Sequence, residues 1–363
     1  MSTKLLMTPG PTNVPDRVLK KMGEEVLHHR TKEFGTMFGE MSERLKYVFQ
    51  TKNPVLTFPA SGTGGLEAAI VNMFSKGDKV LAVSCGIFGD RFITIAKIYG
   101  VDVEVLEVPW GTGVKLEEIE NRLKDYHKAL IVTHNETSTA VTNNIKAIGQ
   151  FMKDKNQLFI VDGVSSIGGI EAKMDNWNID VLITASQKAL MSPPGLFFAG
   201  VSDKAWEACE KSDIPKYYMD FKRAKEFLQK PTPQNPYTPA VSLIAATNEA
   251  LKMIEEEGLY NVYKRHETLA NKFRTEVEKM GLNIYTDKNY LSNTVTAITF
   301  DKDGIANQLK TRLEEEFNIV IAGGQDNLKG KMIRFGHMGC VNEEMIDVSL
   351  DALKNVYNLN LKI

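Results

Sequence analysis

Cysteine is scarce in this 363-residue chain, and its three thiols, Cys85, Cys209 and Cys340, stand far apart. An odd number without clustered spacing argues against both a disulfide framework and a thiolate metal site. They read as free thiols in a reducing compartment, which points to the cytoplasm. Long apolar runs are also missing, so no segment is a candidate membrane span. The opening, Met1 to Met7, is too short for a secretory leader, and Pro9 and Pro11 interrupt it. The C-terminal Asn360-Leu361-Lys362-Ile363 carries no peroxisomal address. Charge of one sign is not in excess: 44 Lys and Arg face 46 Asp and Glu, for a formal net charge of -2. The two signs are interspersed, which excludes a nucleic-acid footprint of the electrostatic kind. His28-His29 has no carboxylate or thiol cluster at ligand spacing, so it reads as structural and no metal is expected. Internal repeats and low-complexity segments are absent as well.

What is present is a regular alternation. Apolar strands at 54–58, 80–84, 101–108, 129–133, 157–161 and 180–185 alternate with helical segments at 66–74, 88–99, 116–123 and 145–152. Repeated strand–helix–strand units predict a mostly parallel sheet covered on both faces, with ligands at the carboxyl ends of its strands. After Val201 the pattern changes. Long helices at 240–257 and 260–280 precede short strands, a helix from Ile305 to Phe317, and a final helix from Glu343 to Tyr357 with Asn342 as its cap. The length exceeds what one core usually carries. We therefore expect an arm at 1–15, a large domain at 16–257 and a smaller α+β domain at 258–363. Residues 212–239, with five prolines, are expected to be a partly irregular excursion. His28-His29-Arg30-Thr31 is expected to open the first amphipathic helix, with Phe34, Met37, Phe38, Met41 and Leu45 at helical spacing.

Two strand ends carry chemistry. Gln157-Leu158-Phe159-Ile160-Val161 ends on Asp162, and the run closing at Ala185 delivers Lys188 within Ser186-Gln187-Lys188-Ala189-Leu190. A single strand-end lysine is most often a solvated charge. A desolvated one loses its proton easily and becomes a nucleophile for a carbonyl carbon. A carboxylate beside it is the other half of what pyridoxal phosphate needs, since it keeps the pyridine nitrogen protonated. Upstream, Ala60-Ser61-Gly62-Thr63-Gly64-Gly65 joins a strand to a helix, where free N–H groups and two hydroxyls suit a phosphate. It is not a dinucleotide fingerprint, because the third glycine would fall on Glu67. Arg334, inside Met332-Ile333-Arg334-Phe335, is predicted to be partly buried. Its fork geometry suits a substrate carboxylate.

In this order these segments resemble class V aminotransferases of fold type I, within the alanine–glyoxylate/serine–pyruvate group. The likeness runs from Thr8-Pro9-Gly10-Pro11 through Ser61-Gly62-Thr63 and Gly86-Ile87-Phe88-Gly89-Asp90-Arg91. It continues through Thr133-His134-Asn135-Glu136-Thr137-Ser138-Thr139, Val161-Asp162-Gly163 and Ser186-Gln187-Lys188 to Asn235-Pro236-Tyr237-Thr238-Pro239 and Lys331-Met332-Ile333-Arg334. The resemblance implies an α/β fold with a mostly parallel seven-stranded sheet between helices and a smaller α+β C-terminal domain. It implies pyridoxal phosphate joined to Lys188, its ring nitrogen on Asp162 and its ring face on Phe88, where relatives often carry Trp. A hydroxyl of Thr137 would meet the ring oxygen. Ser61, Gly62, Thr63 and Gln187 would hold the phosphate, with Tyr237 and Thr238 of the partner subunit in a homodimer. Arg334 and Gly10 would face the substrate. Thr139-Ala140 stands where the family has Thr-Gly, a second departure.

The activity implied is ping-pong transfer of an amino group from alanine or serine to glyoxylate or pyruvate. A 2-aminoethylphosphonate:pyruvate transaminase shares most of these motifs. A cysteine desulfurase would need a thiol shortly before the arginine, and none lies between Cys209 and Arg334. Retention of Lys188, Asp162 and Arg334 together argues against a protein that kept the fold and lost the chemistry.

Overall fold

The computed structural model describes residues 4–302 and 304–360; the readings made on Met1–Thr3 and on the last three residues fall outside them. In chain order, strand β1 (Leu5–Leu6) is followed by helices α1 (Asp16–Met22) and α2 (Lys32–Phe49). Next come β2 (Val55–Phe58), α3 (Gly62–Met73), β3 (Lys79–Ser84), α4 (Ile87–Ile98), β4 (Asp102–Glu107), α5 (Leu116–Arg122) and β5 (Ala129–Thr133). A small hairpin, β6 (Asn135–Glu136) and β7 (Val141–Thr142), precedes α6 (Ile145–Met152), β8 (Leu158–Asp162), β9 (Val181–Ala185) and β10 (Phe197–Val201). Helices α7 (Asp203–Lys211), α8 (Phe221–Leu228), α9 (Val241–Glu257) and α10 (Leu259–Lys279) follow. The chain ends with β11 (Asn283–Ile284), β12 (Val295–Thr299), α11 (Ile305–Phe317), β13 (Ile319–Val320), β14 (Ala322–Gly323), β15 (Met332–Gly336) and α12 (Glu343–Asn360).

The central sheet has seven strands in the order β2-β10-β9-β8-β5-β3-β4. Only β10 runs antiparallel to its neighbours. A parallel sheet is covered on both faces, so its strands read as continuous apolar runs. β5, β8, β9 and β10 are buried at every position. Successive residues alternate between the two cores. Phe159, Val161 and Phe198 pack with Phe34, Met41 and Phe49 of α2, while Ile160 and Phe197 pack with Leu66 and Ile70 of α3 and Phe92 of α4. This period of two fixes which side chains point to which helical layer. It also places the carboxyl ends of β8 and β9 side by side, with Asp162 opposite Ile183 in the register.

A second sheet, β11-β12-β15-β14, is antiparallel and packs with α10, α11 and α12 around Phe273, Phe335 and Leu353. Gly258, at φ +82°, separates α9 from α10. β1 pairs in parallel with β13, so the N-terminal arm is stitched to this C-terminal half. Asn342 caps α12, its side chain accepting from the Met345 N–H at 2.9 Å.

The short α1, with Val18 as its single buried residue, precedes α2 without a period of its own. Two expectations are corrected. α2 begins at Lys32 with Thr31 as its cap, leaving His28 and His29 in the preceding turn. α3 starts at Gly62, four residues earlier than periodicity indicated, because its first turn is glycine and threonine rather than apolar. The excursion at 212–239 is interrupted by α8, capped by Asp220. All three cysteines are free thiols.

Candidate active site

The strand-end pair lies in one crevice. Asp162 is 3% exposed, and its Oδ1 accepts from the Val164 N–H at 2.9 Å. Lys188 is 9% exposed, and its Nζ donates to the Pro9 carbonyl of the N-terminal arm. Burial, aided by the charge of Glu136, pushes the Asp162 carboxyl up to about 7. Burial and the Arg334 charge pull the Lys188 amine down to about 8. Desolvation thus drives both groups toward their neutral forms. Gly10 lies against the lysine at φ +114°: a Cβ there would fall 2.5 to 2.7 Å from the Lys188 side chain.

The first turn of α3 faces the same crevice. Ser61 is the N-cap residue but its side chain caps nothing; the Gly64 N–H donates to the Ser61 carbonyl at 2.9 Å, while the Gly62 and Thr63 N–H groups have no partner among the described residues and are open to a ligand. The Thr63 hydroxyl accepts from Arg91 at 3.1 Å. Gly62 is required by close packing, since a Cβ there would meet Val164 at 2.6 Å. Gln187 keeps a buried Oε1 with no hydrogen-bond partner, an unmet polar atom one residue from the lysine. Phe88 occupies the first turn of α4, half-buried, with the Arg91 guanidinium 4.8 Å from its ring centroid. Sequence reasoning quoted Arg91 but gave it no role.

Arg334 comes from β15 of the other sheet. It is 6% exposed, its Nε donates to the Gly323 carbonyl at 2.9 Å and one terminal nitrogen donates to the Thr137 carbonyl at 2.8 Å. No carboxylate pairs with it among the described residues, and desolvation lowers its pKa to about 10. A buried guanidinium held by two neutral carbonyls has unspent capacity for an anion. Thr137 and Ser138 adjoin it. The Ser138 hydroxyl is occupied by Glu136 and the Ile87 N–H, whereas that of Thr137 has no partner among the described residues.

Tyr237 and Thr238 are not brought to Lys188 within the chain. Tyr237 stacks on Tyr218 at 5.0 Å and donates to the Tyr217 carbonyl at 3.1 Å, while Thr238 is exposed. His134 and His337 are buried and held neutral, at about 4 and about 3, by desolvation. Among the described residues no group of His, Cys, Asp and Glu could hold a metal ion.

An orphaned Gln187 oxygen, a bare helix N-terminus beside two hydroxyls, a buried amine and a carboxylate on the next strand fit pyridoxal phosphate. The sequence matches the aminotransferase class-V family over residues 4–349, and the chain belongs to that family. Serine–glyoxylate aminotransferase of Methylorubrum extorquens is 40% identical over 351 residues, covering 93% of this chain and 87% of that one. L-aspartate–glyoxylate aminotransferase of Paracoccus denitrificans is 37% identical over 349 residues, covering 94% and 87%. The crystal structure of an alanine–glyoxylate aminotransferase from Nostoc sp. superposes with a TM-score of 0.94 at 31% identity, over 98% of this chain and 96% of that one. The protein is therefore an enzyme of the transaminase type, and its family implies a pyridoxal phosphate cofactor.

Proposed function

We propose that the enzyme moves an amino group from alanine or serine to glyoxylate or pyruvate, using pyridoxal phosphate held at Lys188. The observation that carries this reading is the buried Arg334, free of any carboxylate among the described residues and sharing the crevice with Lys188 and Asp162. Bound pyridoxal phosphate supplies the aldehyde that receives the amino group and a ring that stores the electron pair. Ser61, Gly62, Thr63 and Gln187 hold its phosphate, Phe88 covers its ring, Thr137 meets its ring oxygen, and Asp162 keeps a proton on its ring nitrogen. Arg334 grips the donor's carboxylate, with Gly10 leaving room beside it. Lys188 Nζ then takes the donor's α-proton and returns it one position along, as base and then acid. A second 2-oxo acid reverses the sequence, which is ping-pong exchange.

The relatives named above share glyoxylate as a partner and differ in donor, which supports glyoxylate as acceptor here. The reading extends to a cytoplasmic homodimer, with Tyr237 and Thr238 of the partner subunit at each phosphate. The large unit at 16–257 carries Lys188, the unit at 258–363 carries Arg334, and the arm at 1–15 closes over both. The test is a steady-state comparison of kcat/KM for alanine, serine, aspartate, glutamate and 2-aminoethylphosphonate with glyoxylate as acceptor. Alanine or serine is expected to lead. A preference for 2-aminoethylphosphonate would favour the phosphonate transaminase, since a guanidinium grips either anion. A preference for aspartate would mean that a second cation, with Arg91 as the nearest candidate, holds the extra carboxylate.

A further inference from the structure

The roles proposed above leave the buried Glu136 carboxylate without a task. Glu136 is wholly enclosed, at 0% exposure, at the end of β6. Its Oε2 accepts from the N–H groups of Phe88 at 3.0 Å and Gly89 at 3.1 Å. Its Oε1 accepts from the Ser138 N–H at 3.1 Å and from the Ser138 hydroxyl. That hydroxyl in turn accepts from the Ile87 N–H at 3.0 Å. The orphan N–H groups of the first turn of α4 are thus satisfied from a hairpin about fifty residues away, because Gly86 at the N-cap has no side chain to do so. Gly86 is also what permits the approach: a Cβ there would lie 2.4 Å from Ser138 Oγ and 2.6 Å from the Glu136 side chain. One residue further on, the Thr137 carbonyl receives Arg334 at 2.8 Å.

Resting on the pyridoxal phosphate reading, we infer that Glu136 is a positioning residue. It locks the ring-covering Phe88 and the carboxylate-gripping Arg334 into one frame and supplies the negative charge that balances the cations of the crevice. Between the Phe88 backbone and the Arg334 guanidinium lie only the Glu136 side chain, one peptide and one carbonyl. Among the described residues no cation pairs with the carboxylate, and every group that donates to it is neutral. Burial pushes its pKa up, while the donors on both oxygens favour the anion. With the positive end of the α4 dipole at the same point, the anion is the form this cage fits. The charged or ionisable groups within its field are Asp162, Lys188, Arg334 and the Cys85 thiol. Its charge raises the proton affinity of Lys188 and Arg334 and that of Asp162.

The experiment uses the full-length holoenzyme as wild type, Glu136→Gln and Ser138→Ala. Three properties are followed besides turnover: the visible circular dichroism of bound pyridoxal phosphate, the pH midpoint of its visible band, and cofactor affinity by equilibrium dialysis. A glutamine keeps the size but turns an NH2 toward N–H groups and removes the charge. Glu136→Gln is expected to lose much of the visible dichroism, to bind the cofactor more weakly and to raise the amino-donor KM about tenfold with a smaller change in kcat. Its visible-band midpoint should fall by about one pH unit, because a charge favouring the protonated nitrogen on Lys188 is gone. Ser138→Ala keeps the charge and loses one tether, so its dichroism should weaken while its midpoint stays. Wild-type dichroism, midpoint and KM in Glu136→Gln overturn the inference, as does a midpoint shift of equal size in Ser138→Ala. If Glu136→Gln does not fold, Ser138→Ala decides: weakened dichroism with intact far-UV signal supports the frame, and unchanged dichroism refutes it. A wild-type protein that takes up no pyridoxal phosphate sinks the proposed function instead, so the two failures are distinct.

Discussion

Lys188 and Asp162 share a crevice without an ion pair between them, and that choice has a measurable consequence. Had the pair closed, mutual attraction would have held the amine protonated and unreactive. Instead its nearest hydrogen-bond partner is a neutral carbonyl, and burial lowers its pKa from 10.5 to about 8. At neutral pH about one amine in ten is then an unprotonated nucleophile, against roughly three in ten thousand for an ordinary lysine. Because the neutral amine is the reactive form, the rate at which the cofactor-free protein captures pyridoxal phosphate should rise with pH. It should level off once pH exceeds about 8, as the remaining amines lose their protons. Stopped-flow capture rates between pH 6 and 10 check this. A rate still climbing severalfold between pH 9 and pH 10 would show that the lysine has an ordinary affinity for its proton. The same desolvation was foreseeable from the apolar run that ends at Ala185, whereas the charge of Arg334, which adds to it, was not. That contribution comes from a residue 146 positions away in sequence.

Among the elements, the N-terminal arm is the least conspicuous in sequence and among the most exacting in place. The Met7 N–H donates to the Val320 carbonyl and the Met7 carbonyl accepts from Gly336, which fixes the arm to the C-terminal half. Thr12 then bonds the carbonyls of Gln187 and Lys188, at 3.2 and 3.1 Å, which fixes it to the other. Gly10 lies between these anchors in a left-handed conformation against Lys188. An alanine there costs about 1 to 2 kcal/mol of backbone strain, and its methyl group must displace the lysine chain. Gly10→Ala is therefore expected to keep the fold, with a modest loss in Tm, yet bind pyridoxal phosphate at least tenfold more weakly. Equilibrium dialysis measures it, and wild-type affinity would remove Gly10 from the site. The strands carrying Asp162 and Lys188 were legible because both faces of a parallel sheet are buried, so apolar runs mark them without ambiguity. β1, β6, β7 and β14 were not, because two residues are too few to show a period and their strand state is set by the segment they pair with. Glu136 escaped notice for the same reason. A glutamate in a polar segment gives no local sign that two distant N–H groups need it, and only the bare Gly86 before an apolar helix hints at a missing cap.

On the scale of the whole molecule, the segment at 234–238 is where the proposed homodimer is tested. Arg30 donates to the carbonyls of Asn235 and Pro236 at 2.8 and 3.2 Å, so this loop is held in shape at the surface. Beside it Tyr217 is 69% exposed and Tyr218 42%, with Tyr237 stacked on Tyr218, tilted against Tyr217, and the Arg223 guanidinium 5.2 Å from its ring centroid. Exposed tyrosines and arginine are the composition of a binding hot spot rather than of a solvated loop. In a dimer with twofold symmetry each copy can offer Thr238 to the other's phosphate. Two dead chains then make a live one. A Thr238→Asp chain keeps Lys188 but sets a carboxylate against the phosphate of its partner's site, and a Lys188→Ala chain keeps Thr238 but has no amine. In a hybrid, the site built on the intact lysine receives the intact threonine, and the other site carries both lesions. Random mixing makes half the dimers hybrids with one working site in two, so an equimolar mixture unfolded and refolded together should recover about a quarter of wild-type activity. Each chain refolded alone should recover none. If Thr238 instead serves its own chain, every site in the mixture holds a complete lesion, and no ratio of the two chains restores turnover.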